Sequence, residues 1–411
     1  MKILMLGRWI PPARRPIRAM REYQFARQLA RRHQLTLGFV IDSADSTGSI
    51  SVLRSEFGDL EFAAVPRAWK SLAGAIRLAS GDSCTLFYAR SEALRTRLAE
   101  RLRRTRFDLV FVSSSSMIPY GLEIDPTIPV VVDFGSVDSE WWSRRGTPGA
   151  GGASRFFRTE AARLRAAERD IARRAARCVV ESSEAEQIIR SLAPEAAPIV
   201  IPSGIDVDAF GLGKMAGLAP TVVLVASSRT DGEIRELADF CRAAVPAIKA
   251  RVPHARVVVS CREPMARERA LEQLGVELVA PVTDPRSIFH SKTVAVAPLR
   301  SCVDLQASVL EPLAAGIPMV TSISLQDQLG ARAGRDVEAA EAPGDFALRI
   351  VELLESTSKR EELGAQGRDF VRANFSWEIF ASRLGGIVES LGVAPGSPTS
   401  TEEPAPIHTT L

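Results

Sequence analysis

Twice along its length the chain alternates between short apolar runs rich in β-branched residues and longer segments whose apolar residues recur every three or four positions. In the first half the runs are KILML, LTLGFVI, FDLVFVS, VVVDF and CVV, with helical patterns such as AMREYQFARQLARR between them. A run that is apolar at every position is suited to burial on both faces, as in a parallel strand, and parallel strands need crossover helices between them. The pattern therefore predicts βαβ units and parallel, doubly wound sheets. Near residue 200 it resets. IVIPSGIDVDAF leads into GLGKMAGLAP, and a second series follows: TVVLVAS, the helix ELADFCRAAVPAIKARV, ARVVVS, VELVA, TVAVAPL and PMVTS.

A chain of 411 residues exceeds what one hydrophobic core normally serves. The expected organisation is α/β, with one Rossmann-like domain over 1–200 and a second over 201–375. A last helix, SWEIFASRLGGIVESL, falls within 376–393, and a tail rich in Pro, Ser and Thr over 394–411 reads as disordered.

Charge and composition exclude several function classes. A net charge of +3 gives no global attraction to nucleic acid or membrane. The exception is local: ten Arg against three acids between Trp141 and Val180, expected as a solvated helix face plus a flexible GTPGAGGAS loop, or as a patch that docks on anionic lipid. Five cysteines at 84, 178, 241, 261 and 302, with no C-x-x-C, fit reduced thiols in a cytoplasmic protein better than a disulfide or zinc framework. No apolar run approaches a membrane span, and MKILMLGRWIPP reads as a first buried strand rather than a signal peptide.

Familiar chemistry is missing from the expected places. GRWIPP follows the first strand where a nicotinamide-binding domain would carry G-x-G-x-x-G, and no phosphate-loop motif occurs. The four histidines, at 33, 254, 290 and 408, stand apart from one another and from cysteine, and are expected on the surface. Asp206 and Asp208 in IDVDA have the spacing of acids that hold a metal on a diphosphate, but a solvated turn after PSG is the favoured expectation. The stretch SVLEPLAAGIPMV carries one charge, Glu311, in an apolar run. A carboxylate there accepts bonds either from both hydroxyls of a ribose or from a nearby Arg.

PSGIDVDAF followed by VLEPLAAGIPMV resembles the pattern of glycosyltransferase family 4. IRAMREYQFARQLARRHQLTLGFVIDS, DFGSVDSEWW, AERDIARRAARCVVESSEAE, VAPLR and FSWEIFASRL are similar to a bacterial subgroup linked to exopolysaccharide clusters. The resemblance implies a GT-B fold: two Rossmann-like domains facing a cleft, with a C-terminal helix crossing back to the first. It also implies a nucleotide-sugar donor on the C-terminal domain and a glycan, lipid-linked or small-molecule acceptor on the N-terminal one. Transfer would be metal-independent, retaining and of hexosyl type, with no cofactor beyond the donor.

On this resemblance Glu311 contacts the donor ribose. Arg229 and Ser227 follow the first strand of the second domain, where Arg229 suits a diphosphate through bidentate bonds. Arg300 and Gln306 match the strand end and donor loop, Arg18 faces the cleft, and Val279 to Val282 lie where the base is held. Asp133 and Asp138 match an acidic motif near the transferred sugar, or else cap loops and helix ends.

The donor loops depart from the pattern. PPARRPIR lacks a glycine, Asp304-Leu305-Gln306-Ala307-Ser308 has lost a Lys and gained an acid, Val303 replaces a Glu, Ser227 a Gly and Ser203 an Asn. Pro312 after Glu311 removes a helical N–H. Three expectations therefore stand: a transferase with an altered donor, a transfer-inactive binding or scaffold subunit on the same fold, and a sugar-nucleotide epimerase.

Overall fold

Lys2–Arg8 (β1) is buried without interruption from Ile3 to Gly7, as a strand covered on both faces must be. The computed structural model describes residues 1–8, 21–42, 46–65, 83–145, 151–211, 219–225, 231–260, 266–279, 288–299 and 309–392. Beside β1 lie Gln34–Asp42 (β2), Leu60–Val65 (β3), Leu109–Ser113 (β4), Val130–Gly135 (β5), Arg177–Val180 (β6) and Pro198–Val200 (β7). They form a seven-stranded sheet in the order β3-β2-β1-β4-β5-β6-β7. Every pairing is parallel; Ile3, for example, faces Leu109 of β4 and Leu35 of β2. Leu4, Leu6, Val110, Val112, Val130 and Val132 share one apolar cluster on a single face.

The second sheet is built from Thr221–Leu224 (β8), Arg256–Ser260 (β9), Glu277–Val279 (β10), Thr293–Ala297 (β11), Met319–Ser322 (β12) and Glu338–Ala340 (β13). Its order is β10-β9-β8-β11-β12-β13, again all parallel. Alternate residues serve its two faces: Val222, Leu224, Val257 and Val294 pack in one cluster, while Val223, Val258 and Ala295 pack in the other. The fold is α/β of the GT-B class. The expected strand runs all appear; β3, β7 and β13 were not expected. All three are edge strands, which need only one covered side and so leave a weaker apolar signal.

The chain separates into one unit of Met1–Ser203 with the C-terminal helix from Phe380, and a second of Gly204–Ile379. The break falls inside the PSG motif. A Cβ on Gly204 would lie 2.9 Å from the Trp377 backbone, and the Ile205 N–H donates to the Phe375 carbonyl at 2.8 Å. Glycine here permits close packing of the junction against the start of the last helix, Trp377–Gly392.

Two expectations are corrected. His290 is 4% exposed rather than on the surface; its Nδ1 accepts from the Lys292 N–H at 3.3 Å, and burial, then Arg256 and Lys292, lower its pKa. The expected loop 146–154 gives up its last four residues to a long helix, Gly151–Arg174. Among the described residues no helix is long and apolar enough to cross a membrane.

Candidate functional site

Doubly wound domains place ligands beyond the carboxyl ends of their strands. In the first unit that edge is where the backbone departs from ordinary geometry. β5 carries an irregularity: Asp133 pairs with Val179 but Gly135 with the next residue, Val180. Such a bulge re-aims side chains and often lies beside a site. Ser114 after β4 has φ 80°, and Val137 after β5 has φ 61°. They are the two non-glycine residues with positive φ among those described, and Val137 is β-branched, for which this region is costly. Each stores on the order of 1–3 kcal/mol, held by surrounding packing.

Asp133 projects from the bulge into a bidentate pair with Arg21, the first residue of the helix Arg21–Ala30. Arg21 Nε donates to Oδ2 at 2.9 Å and Nη2 to Oδ1 at 3.0 Å, with the two side chains 10% and 2% exposed. The guanidinium also lies 4.4 Å from the centre of the Phe25 ring. Burial acts most strongly and lowers the Arg21 pKa, but the charge and hydrogen bonds of Asp133, with the charges of Glu181 and Glu22, together outweigh it and the net shift is upward. The third nitrogen, Nη1, is buried without a hydrogen-bond partner. Next to it, Glu22 is pushed up to about 7, chiefly by desolvation and further by the charge of Asp133.

Asp138 opens the helix Asp138–Arg145, three residues beyond the bulge's Gly135. Burial raises its pKa, opposed by the charge of Arg8 at the end of β1 and by a hydrogen bond with Ser115. Ser115 also donates from Oγ to Glu168 Oε1 at 2.8 Å, and the Ser139 N–H donates to the same oxygen at 3.1 Å. Glu168 comes from the middle of the Gly151–Arg174 helix and is fully buried. Desolvation pushes it up to about 7, with the Asp138 charge adding to the shift.

In the second unit Glu311 is half-buried and begins the α-helical turn Glu311–Ala314, directly after Val309 and Leu310, which already form a wider π-helical turn. Pro312 falls in the first turn of that α-helical segment, a position proline tolerates well. Gly316, at φ 78°, ends the turn, and Ile317 N–H returns to the Pro312 carbonyl at 2.9 Å. The helix Thr357–Phe375 braces this turn through Gly364, where a Cβ would meet the Gly316 oxygen at 2.1 Å.

Asp206 accepts from the Ala209 N–H at 3.3 Å and caps a turn, while Asp208 pairs with Arg372 at 3.0 Å on the surface. The two acids therefore serve the junction, as the turn expectation had it. Of the expected site residues, Asp133 and Asp138 come together at one sheet edge and Glu311 stands in the other unit. Arg18, Ser227, Arg229, Arg300 and Gln306 lie outside the described residues, as do Val303, Asp304 and most of the 279–282 segment.

Sequence reasoning missed Arg8, Arg21, Glu22, Ser115 and Glu168. Glu168 was findable. It occupies a buried stripe with Ala161, Leu164, Ile171 and Ala172, so it is a carboxylate in an apolar run, as Glu311 is. Arg21 had no such signal, since its partner is 112 residues away.

Residues 219–356 match the family model described as Glycosyl transferases group 1, which spans about a third of the chain. No curated protein matches the sequence. Among solved structures, sucrose-phosphate synthase from Thermosynechococcus elongatus is 16% identical, with TM-score 0.59 over 95% of this chain and 98% of that one. HepE from Anabaena, in complex with UDP-glucose, is 11% identical with TM-score 0.57, covering 95% of this chain and all of that one. A glycosyltransferase from Rickettsia africae is 10% identical with TM-score 0.56 over 95% and 98%.

Proposed function

We propose that the chain is a retaining, metal-independent glycosyltransferase that moves a hexosyl group from a nucleoside-diphosphate sugar to a glycan, lipid-linked or small-molecule acceptor. The observation that carries this is the match of residues 219–356 to Glycosyl transferases group 1, because that segment contains all six strands of the second sheet and the braced turn presenting Glu311. A similarly folded protein binds UDP-glucose, which supports a donor of the same class here. In this proposal Glu311 accepts hydroxyls of the ribose, and Arg229, Arg300, Arg18, Ser227 and Gln306 hold and neutralise the leaving diphosphate. Asp138 faces the acceptor. Asp133, with both oxygens engaged by Arg21, orients that guanidinium rather than acting as a base.

A peripheral membrane contact belongs to the same proposal. Arg144 and Arg165 pair with Glu140, Arg169 with Asp170 and Arg173 with Glu195, so much of the Arg-rich stretch is already neutralised. Arg155 and Arg158 are exposed and flank Phe156 and Phe157, which pack with Trp142; Trp141, packed on Trp142 in turn, is 47% exposed. Aromatic and cationic groups together suit an anionic lipid surface. Co-sedimentation with acidic liposomes, fading with salt, is expected; equal binding to neutral vesicles counts against it.

The test of function is release of nucleoside diphosphate across a donor panel, with and without cell extract as acceptor source. Cleavage of one donor, lost on Arg229→Ala and insensitive to chelator, is expected. A donor that binds tightly but is neither cleaved nor transferred makes the chain a binding subunit instead. Conversion of the donor to an isomer without any acceptor makes it an epimerase.

A further inference from the structure

The amino ends of the first sheet gather charge of one sign. The register places Lys2 of β1 beside Gln34 of β2, and Ile3 beside Leu109 of β4, so the turn before β2 and the residues before β4 meet at the start of β1. A cavity of about 710 Å³ opens there, and its lining includes Lys2, Arg31, Arg32, His33, Arg106 and Asp108. Four of these carry a fixed positive charge and one a negative charge. The volume is in the range of small-molecule sites. β1 has seven residues and is roughly 20 Å long, so this cavity lies at the opposite end of the strands from the bulge and the strained residues.

Little of this positive charge is spent on the protein itself. Asp108 is engaged with backbone: its Oδ2 accepts the Lys2 N–H at 2.7 Å, and its own N–H donates to the Lys2 carbonyl at 2.9 Å. Arg31 donates from Nη1 to the neutral Gln28 side chain at 3.0 Å and so keeps its full charge. Arg32 pairs with Glu389 of the last helix at 2.9 Å, but the two side chains are 72% and 46% exposed, and such a pair exchanges readily with other ions. Among the described residues neither the Lys2 ammonium nor Arg106 has an ion partner. At the cavity wall His33 Nδ1 is buried without a hydrogen-bond partner. A buried polar atom left so beside a polar cavity marks the place of a water or an ion. Helix dipoles account for part of the charge, since Arg31 and Arg32 follow the helix Arg21–Ala30 and cations are favoured at a carboxyl end. That reason does not reach Lys2, which is in a strand, or Arg106, which lies between the helix Glu92–Arg104 and β4.

We propose that this cavity is a second ligand site, which binds a phosphate monoester or diphosphate through Lys2, Arg31, Arg32 and Arg106. A guanidinium offers paired N–H donors that match two phosphate oxygens, and the lysine adds a point charge. All four side chains are exposed at the cavity, so they can turn onto a ligand while the strand starts that carry them stay fixed. A doubly charged anion is preferred over chloride because several cations act on it at once. The cavity is larger than one phosphate and leaves room for the group that carries it. A soluble phosphate ester and a lipid headgroup share this chemistry, and the experiment separates them. The proposal is independent of the transferase reading, because it concerns the other end of the strands.

His33 reports on the cavity directly. In ¹H–¹⁵N spectra of the full chain, its ring resonances are assigned by their loss in His33→Gln. Titration with inorganic phosphate at constant ionic strength should shift them to saturation, whereas chloride should not. Lys2→Ala combined with Arg106→Ala should weaken phosphate binding about tenfold or more. Both side chains are exposed, so this variant should fold, and Arg31→Gln alone should weaken binding in the same direction. No saturable shift, an equal response to chloride, or unchanged affinity in the variants overturns the proposal. Phosphatidylcholine vesicles with and without phosphatidic acid then identify the source. Sedimentation that needs phosphatidic acid and is lost in the double variant assigns the site to a headgroup. Sedimentation equal in the two proteins, or none, beside a saturable phosphate shift assigns it to a soluble phosphate ester. Nucleoside diphosphate release plays no part in the result, so a failed transferase reading leaves this one standing.

Discussion

The two sheets share one strand order, yet their carboxyl edges are built in opposite ways. The first edge is stiffened by charge: a buried bidentate pair, carboxyls with raised pKa values, a bulge and two strained residues. The described part of the second is stiffened by glycine: Gly316 closes the turn behind Glu311, and Gly364 lets a long helix brace it. Topology puts a ligand edge in the same place twice but leaves its chemistry to the side chains. An edge set by buried charge depends on pH and on single ion partners. One set by backbone contact depends on the absence of a methyl group.

The sharpest way to break this contrast is Arg21→Ala. It leaves Asp133 buried and unpaired, which should destabilise the first unit by about 3–5 kcal/mol in urea unfolding. Glu311→Ala should cost far less; equal losses would erase the distinction between the edges.

Stability should also depend on pH through the first edge. Glu22 and Glu168 have folded pKa values of about 7 against an ordinary 4.5. The folded protein therefore holds protons that the unfolded chain has released. Their stabilising contribution is complete below 4.5 and is lost as pH rises through 7, by at most about 1.4 kcal/mol per pH unit for each group. Glu22→Gln together with Glu168→Gln should flatten that slope. An unchanged slope would move its origin elsewhere.

For the second edge, Glu311→Ala should weaken nucleoside diphosphate binding by about 1.5–3 kcal/mol, roughly 10- to 150-fold. Calorimetry showing unchanged affinity would end the ribose assignment. Gly364→Ala should destabilise the second unit by about 1–3 kcal/mol, because backbone rather than a flexible side chain must give way. Normal stability with normal nucleotide affinity would show that the brace is dispensable. The smallest effect is expected from Asp208→Ala, which removes an exposed pair with Arg372 and should cost about 0–1 kcal/mol, less at high salt. Loss of magnesium-dependent activity in that variant would instead revive a metal role for the Asp206–Asp208 pair.

Much of the fold was legible in the residues. KILML, VVVDF, TVVLVAS and TVAVAPL are strands because runs with no polar face can only be buried twice over, and the intervening amphipathic helices supply both coverings. The edge strands LEFAAV, PIV and EAA escaped notice because one-sided burial leaves little pattern in so few residues. The candidate site was legible only where one residue contradicted its own surroundings. Glu311 was such a residue and was seen; Glu168 was such a residue and was passed over.

By itself, then, the sequence determined what periodicity can encode: two parallel α/β halves, a break at PSG, and acids placed at the ends of strands. Tertiary structure alone decided which of those acids meet a cation and which are left without one. Asp133 finds Arg21 across 112 residues, whereas Glu168 finds, among the described residues, the Ser115 hydroxyl, the Ser139 amide and a like charge. Spacing along a chain fixes the face on which a residue lies. The free energy of its charge depends on what other elements bring against that face, and on how much water they leave there.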